Sequence, residues 1–120
     1  MTRRGYLLFL EDILLAMDKI EKYTNNISQE EFKNKDIVID AVIRNLEVIG
    51  EAAKSIPVEA REEYPHIPWK RMIGLRNIMI HDYFGIDLSI VWTIVRTNLP
   101  EARKDIENML SKIKRAATRE

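Results

Sequence analysis

The sequence predicts an all-α protein, an antiparallel bundle of four to five helices, and three observations carry that prediction. Apolar residues recur at three- and four-residue spacing in every long segment. No stretch alternates apolar and polar residues over a useful strand length. The connections are mostly short and marked by prolines or capping residues, as antiparallel neighbours in a bundle require. At 120 residues the chain reads as one domain over 1–120, long enough to bury roughly two-thirds of its unfolded surface. It contains no cysteine, so its stability has to come from that core.

The elements follow in order. Over residues 3 to 24, Leu7, Leu10, Leu14, Met17 and Ile20 form one apolar stripe. "NNISQEEF" interrupts it, and Ser28 with Glu31 has the spacing of a capping box, so a short helix begins there. A second long helix covers about 36 to 55, with Ile37, Ala41, Ile49 and Ala52 among its apolar residues and Pro57 ending it. Gly50 weakens that helix, which points to close approach by another helix. "VEAREEYPHIP" reads as a short helical turn inside a loop. Pro68 suits the first turn of "PWKRMIGLRNIMIHD", and Phe84-Gly85 supplies a stop. Asp87 is placed to cap "LSIVWTIVRTNL", and Pro100 either kinks that helix or restarts it as "PEARKDIENMLSKIKRAA". There is no repeat, low-complexity segment or linker.

Nineteen basic residues balance nineteen acidic ones, which excludes a globally basic nucleic-acid-binding surface and leaves only local patches. "KIKRAATR" (112–119) holds four cations and no acid, read as a solvated helix end or as an interaction tail. The apolar run near the N-terminus is broken by Glu11 and Asp12, too short to span a membrane, and has no small-residue cleavage site. These features predict a cytoplasmic protein without a membrane partner.

"RNIMIHDYF" (76–84) threads polar groups through an apolar stretch. With Arg76 at zero on a helical wheel, Met72, Leu75, Ile78 and Met79 fall between roughly 200° and 320°, the face that packs on the bundle. Asn77 falls near 100° and His81 near 140°, while Ile80 and Ile73 lie between them and Arg76 at about 40° and 60°. Such a mixed face suits a buried polar network or a subunit contact. His81 itself is either a satisfied helix-end residue or a proton carrier. Glu63 and His66 have Glu-x-x-His spacing, but Pro65 interrupts it and no second copy exists, so no metal is expected, and no cofactor. No serine or cysteine nucleophile lies near His81, and no glycine-rich loop is present. A guanidinium fork beside an imidazole suits phosphoryl chemistry.

This segment carries the Arg-x4-His-x-Tyr pattern. Together with "RRGYLLFLEDILLAMDKIEKYT", "AVIRNLEVIGEAAKSIP", "YPHIPWKRMIGLRNIMIHDYFGID" and "VWTIVRTNLP" in order, it resembles the HepT-like ribonuclease toxins of the HEPN superfamily over nearly the whole chain. The resemblance implies a toxin of a type II toxin–antitoxin system, a metal-independent endoribonuclease. Arg76 and His81 would be its catalytic pair and Asn77 a polar support. It implies a homodimer formed through the motif helix, for which Ile73 and Ile80 would supply the dry contact. It also implies a minimal nucleotidyltransferase antitoxin that adenylylates Tyr83. Lys70, Arg71 and the C-terminal cations would help hold the RNA.

The rival reading is a non-catalytic helical module that binds a nucleotidyltransferase or a nucleotide. Neutral net charge suits the rival; an intact Arg, His and Tyr on one helix suits the ribonuclease. One further strip stands out: Arg44, Glu47 and Glu51, in line with Asp40, form surface salt bridges along their helix or line the cleft.

Overall fold

Capping side chains and prolines set several of the helix boundaries. The structure is a computed structural model and describes residues 3–81 and 85–119, with side chains described over 5–77 and 85–116. Helix α1 runs Arg3–Thr24, α2 Gln29–Lys33, α3 Asp36–Ser55, α4 Val58–Glu63 and α5 Trp69–His81. Helix α6, Leu88–Thr93, continues through a π-helical segment, Ile94–Asn98, into α7, Leu99–Arg119. Among the described residues there is no strand.

The capping box at α2 forms in full: Ser28 Oγ accepts from the Glu31 N–H and Glu31 Oε1 from the Ser28 N–H, each at 3.1 Å. Helix α3 stops because Ile56 must be extended ahead of Pro57. The Pro68 carbonyl accepts the Met72 N–H at 3.0 Å and opens α5. Asp87 caps α6 by accepting from the Ser89 N–H at 2.8 Å. The expected stop at Phe84-Gly85 involves Phe84, outside the described residues.

Pro100 does not begin a separate helix: α6 runs through the π-helical segment into α7. Pro100 has no N–H to offer the Arg96 carbonyl. The turn ahead of it widens instead, the Leu99 N–H bonding the Ile94 carbonyl five residues back. Helix α7 then proceeds through the proline.

Helices α1 and α3 pack together as the centre of the bundle, with α5 on α3 and α7 on α1. Leu10, Ile13 and Ile20 of α1, Val42, Leu46 and Ile49 of α3, and Ile106 and Met109 of α7 are fully enclosed, each large side chain stabilising the fold by roughly 1.5–3 kcal/mol. Ile37 does not join them. It sits in the first turn of α3, 85% exposed, because the apolar face there has passed to Val38 and Ile39.

Polar ties fix α7 antiparallel to α1. Arg96 Nη2 donates to the carbonyls of Thr24 and Ile27 while its guanidinium lies 4.5 Å over the Trp92 ring. Arg103 reaches Asp18 and Glu21 of α1 and Glu107 on its own helix. Burial works against the charge of Arg103, and its bonds to Asp18 and Glu107 outweigh it, so its pKa is raised. Farther along, Lys114 pairs with Glu11 at 3.6 Å.

Helix α5 makes no comparable contact with α7 among the described residues. Between them lies an open groove of about 500 Å³, lined by Arg71, Met72 and Leu75 on one side and Ile94, Asn98 and Ala102 on the other. No described helix is long and apolar enough to cross a membrane.

Candidate active site on helix α5

Trp69, Met72 and Leu75 follow one another at helical spacing and bury the inner face of α5. The Trp69 indole N–H is satisfied by the Tyr64 carbonyl at 3.0 Å. This anchors the start of the helix and leaves the next turn to carry the polar motif.

Arg76 is the point where α5 meets α3. Gly50 of α3 lies against it so closely that a β-carbon there would stand 2.7 Å from the Arg76 nitrogen, 2.8 Å from its Cβ and 3.1 Å from the Met72 carbonyl oxygen. The close approach expected at Gly50 is therefore real, and the residue it touches is the arginine of the motif. One residue on, Glu51 forms an ion pair with Arg76, its Oε1 accepting from Nε. The Arg76 side chain is 32% exposed and that of Glu51 53% exposed, so the pair lies at the surface with solvent on one side.

The other motif residues divide. Asn77 is exposed and Ile73 is half-buried against its own core, so only part of Ile73 is open to a second chain. The backbone of α5 continues as α-helix through Ile80 to His81, while the side chains of Ile78, Met79, Ile80 and His81 lie outside those described. Tyr83 lies outside the described residues altogether. On the continuous helix His81 sits roughly 7.5 Å farther along the axis and about 140° around from Arg76.

The α3 strip also divides. Arg44 and Glu47 form an ordinary surface pair within the helix at 3.6 Å, whereas Glu51 leaves the strip for Arg76. Sequence reasoning placed Glu51 on the right face without its partner, and the signal that could have found it was Gly50 beside it.

Of the cations expected to help hold RNA, two lie at the start of α5. Lys70 and Arg71 are exposed in its first turn. Lys112 of the basic run lies 6.0 Å from the Tyr64 ring, and the run is helical to Arg119. His66 points elsewhere, its Nε2 3.8 Å from Asp105. Among the described residues no group of three or more His, Cys, Asp or Glu could hold a metal ion.

A family model described as ribonuclease HepT-like matches residues 13–109. The chain belongs to the HepT-like ribonuclease family. The match extends from α1 into α7 and takes in Gly50, Glu51, Arg76 and His81, so the resemblance drawn from the sequence blocks and the all-helical fold it implied are both borne out. Several relatives come from Methanocaldococcus jannaschii. "Putative RNase MJ1216" is 46% identical over 113 residues, covering 94% of this chain and 93% of that one. "Putative RNase MJ1380" is 45% identical over 107 residues, covering 89% and 98%. A "Probable ribonuclease HepT" of Thermococcus cleftensis is 38% identical over 107 residues, covering 89% and 97%. No solved structure gives a significant match.

Proposed function

We propose that this member of the family cleaves single-stranded RNA without a metal ion, using Arg76 and His81 from two copies of the chain. The observation that carries the proposal is Arg76: a permanently charged planar fork, rooted where α3 touches α5 and about one-third open to solvent.

RNA supplies its own nucleophile. A base removes the proton of a 2′-hydroxyl, the oxygen attacks the adjacent phosphorus, and an acid protonates the departing 5′-oxygen. The products are a 2′,3′-cyclic phosphate and a 5′-hydroxyl. Each chain brings one motif histidine. Two chains about a two-fold axis bring two, and an imidazole can serve as either base or acid near neutrality. Arg76 holds the phosphate and stabilises the charge that grows on the pentacoordinate phosphorus. Asn77, exposed beside it, supports the substrate or the histidine. Ile80 and the open part of Ile73 would be the dry contact between copies.

In the cell, this reading makes the protein the toxin of a toxin–antitoxin pair. Its partner would be a minimal nucleotidyltransferase that silences it by transferring adenylate to Tyr83. The added phosphodiester would compete for the site's cations, and the added nucleoside would obstruct RNA.

The test is cleavage of a single-stranded RNA oligonucleotide in excess EDTA by wild type, Arg76→Ala and His81→Ala, each confirmed folded by circular dichroism. Wild type should cleave to a cyclic phosphate, and each variant should lose on the order of a hundredfold or more in rate. Inhibition by EDTA, or full activity of folded His81→Ala, would overturn the mechanism. An inert wild type that still binds the nucleotidyltransferase would favour a non-catalytic module.

A further inference from the structure

We propose that Glu51 is a positioning residue for the cleavage reaction: it holds the Arg76 guanidinium by its Nε edge and so presents the opposite, Nη edge to an RNA phosphate. This rests on the proposed role of Arg76 and adds a residue from a different helix.

The inference begins with the shape of the guanidinium. Its donors lie in one plane, and a carboxylate bonded at Nε occupies one edge, leaving the terminal pair of nitrogens directed away. Glu51 Oε1 is bonded at Nε. Among the described residues no other side chain or carbonyl bonds to Arg76. The edge turned away from α3 is the one shaped for two phosphate oxygens.

The second step concerns what fixes the carboxylate. Glu51 follows Gly50, and Gly50 is where the two helix backbones come into contact. Arg76 is thus fixed at both ends from the same turn of α3. Its backbone is located by the glycine and its tip by the glutamate. A long flexible side chain held at both ends loses its orientational freedom before substrate arrives, which is the condition for a cation to act on a transition state and not merely to attract a substrate.

Third, the pair is poorly suited to stabilising the fold. Glu51 is 53% exposed, and exposed ion pairs contribute little because solvent screens them. Glu51 also costs RNA affinity, since it puts an anion beside the phosphate that Arg76 must bind. A residue that adds little stability and opposes substrate binding is accounted for by orientation.

The experiment compares wild type, Glu51→Gln and Glu51→Ala in the full chain by three readouts. These are kcat and KM on a single-stranded RNA oligonucleotide, equilibrium binding of the 2′-O-methyl oligonucleotide of the same sequence across a salt series, and thermal unfolding. Glu51→Ala should lose about tenfold or more in kcat through misorientation of Arg76. It should bind the uncleavable oligonucleotide more tightly, with a salt slope steeper by about 0.7, the value for one more effective cation on a single strand. Glu51→Gln keeps an oxygen that can accept from Nε. It should share the tighter binding and recover most of the lost kcat. A merely structural role predicts a parallel fall in melting temperature and activity, with no tightening of binding. That result, or an unchanged kcat in Glu51→Ala, would overturn the inference. Failure of the ribonuclease reading itself is distinguishable, because wild type and Arg76→Ala would then be equally inert on the same RNA.

Discussion

Replacing Gly50 by alanine tests whether the contact between α3 and α5 sets the position of Arg76. The new β-carbon would stand 2.7 Å from the Arg76 nitrogen, whereas ordinary contact begins at 3.4 Å, so α5 has to retreat by about 0.7 Å at that residue. The atoms in the way are backbone and Cβ, so no rotamer change relieves the clash. Overpacking of this kind costs about 1–3 kcal/mol. Alanine in place of glycine within a helix returns about 1 kcal/mol. The two oppose, and the net loss is at most about 2 kcal/mol, a fall in melting temperature of no more than about 10 °C for a chain of this size. Activity has no such offset. A displacement approaching 1 Å at a group that must meet the transition state costs up to about a hundredfold. Initial rates on an RNA oligonucleotide, taken well below the melting transition, should therefore fall by one to two orders of magnitude in a protein that remains folded. Gly74, with nothing within 4 Å of its would-be β-carbon, is the control: Gly74→Ala should raise stability by about 0.5–1 kcal/mol. Full activity in folded Gly50→Ala would refute the claim that this contact positions the arginine.

Three further outcomes are expected. Wild type should be a homodimer by light scattering, and Ile80→Asp should yield an inactive but helical monomer, because a charge on a dry contact is unpaired; a monomeric, active wild type would remove the two-chain site. Incubation with the nucleotidyltransferase and ATP should add adenylate at Tyr83, located by peptide mapping, and stop cleavage without unfolding; adenylate on another residue would contradict the switch. Ser28→Ala removes the side-chain half of the α2 capping box and should cost about 1 kcal/mol, with no change in kcat; a larger loss in denaturant titration would mean that α2 does more than begin a helix.

Where the chain's local chemistry decides the structure, the sequence was legible. Ser28 and Glu31 cap each other over three residues, and Pro57 dictates the end of α3 from the position next to its cap. Gly50 was legible in kind, as a place of close approach, but not in identity, because the contact is made by a helix more than twenty residues away. Glu51 shows the limit most clearly. A wheel places it in line with Arg44 and Glu47, where pairing along the helix surface is the ordinary outcome. Only the packing of α5 on α3 selects Arg76, 25 residues along the chain. Pro100 was legible in place: its missing N–H foretold a disturbance, which takes the form of one widened turn ahead of it. Ile37 followed the apolar count into solvent because periodicity does not say where along a helix the neighbouring helix begins.

The groove beside α5 has a consequence for how the molecule opens. Among the described residues the main packing of helix α5 is on α3, while α1 is covered by both α3 and α7. Amide protons in α5 should therefore exchange through a local opening that leaves α1, α3 and α7 protected, at a free energy below that of global unfolding. Hydrogen exchange would show the motif helix as the first long helix to lose protection. On the proposed role of Arg76, bound RNA should slow that exchange in proportion to its affinity, since only the closed form would carry the site. The helix that carries Arg76 and His81 is the one the rest of the fold should release first.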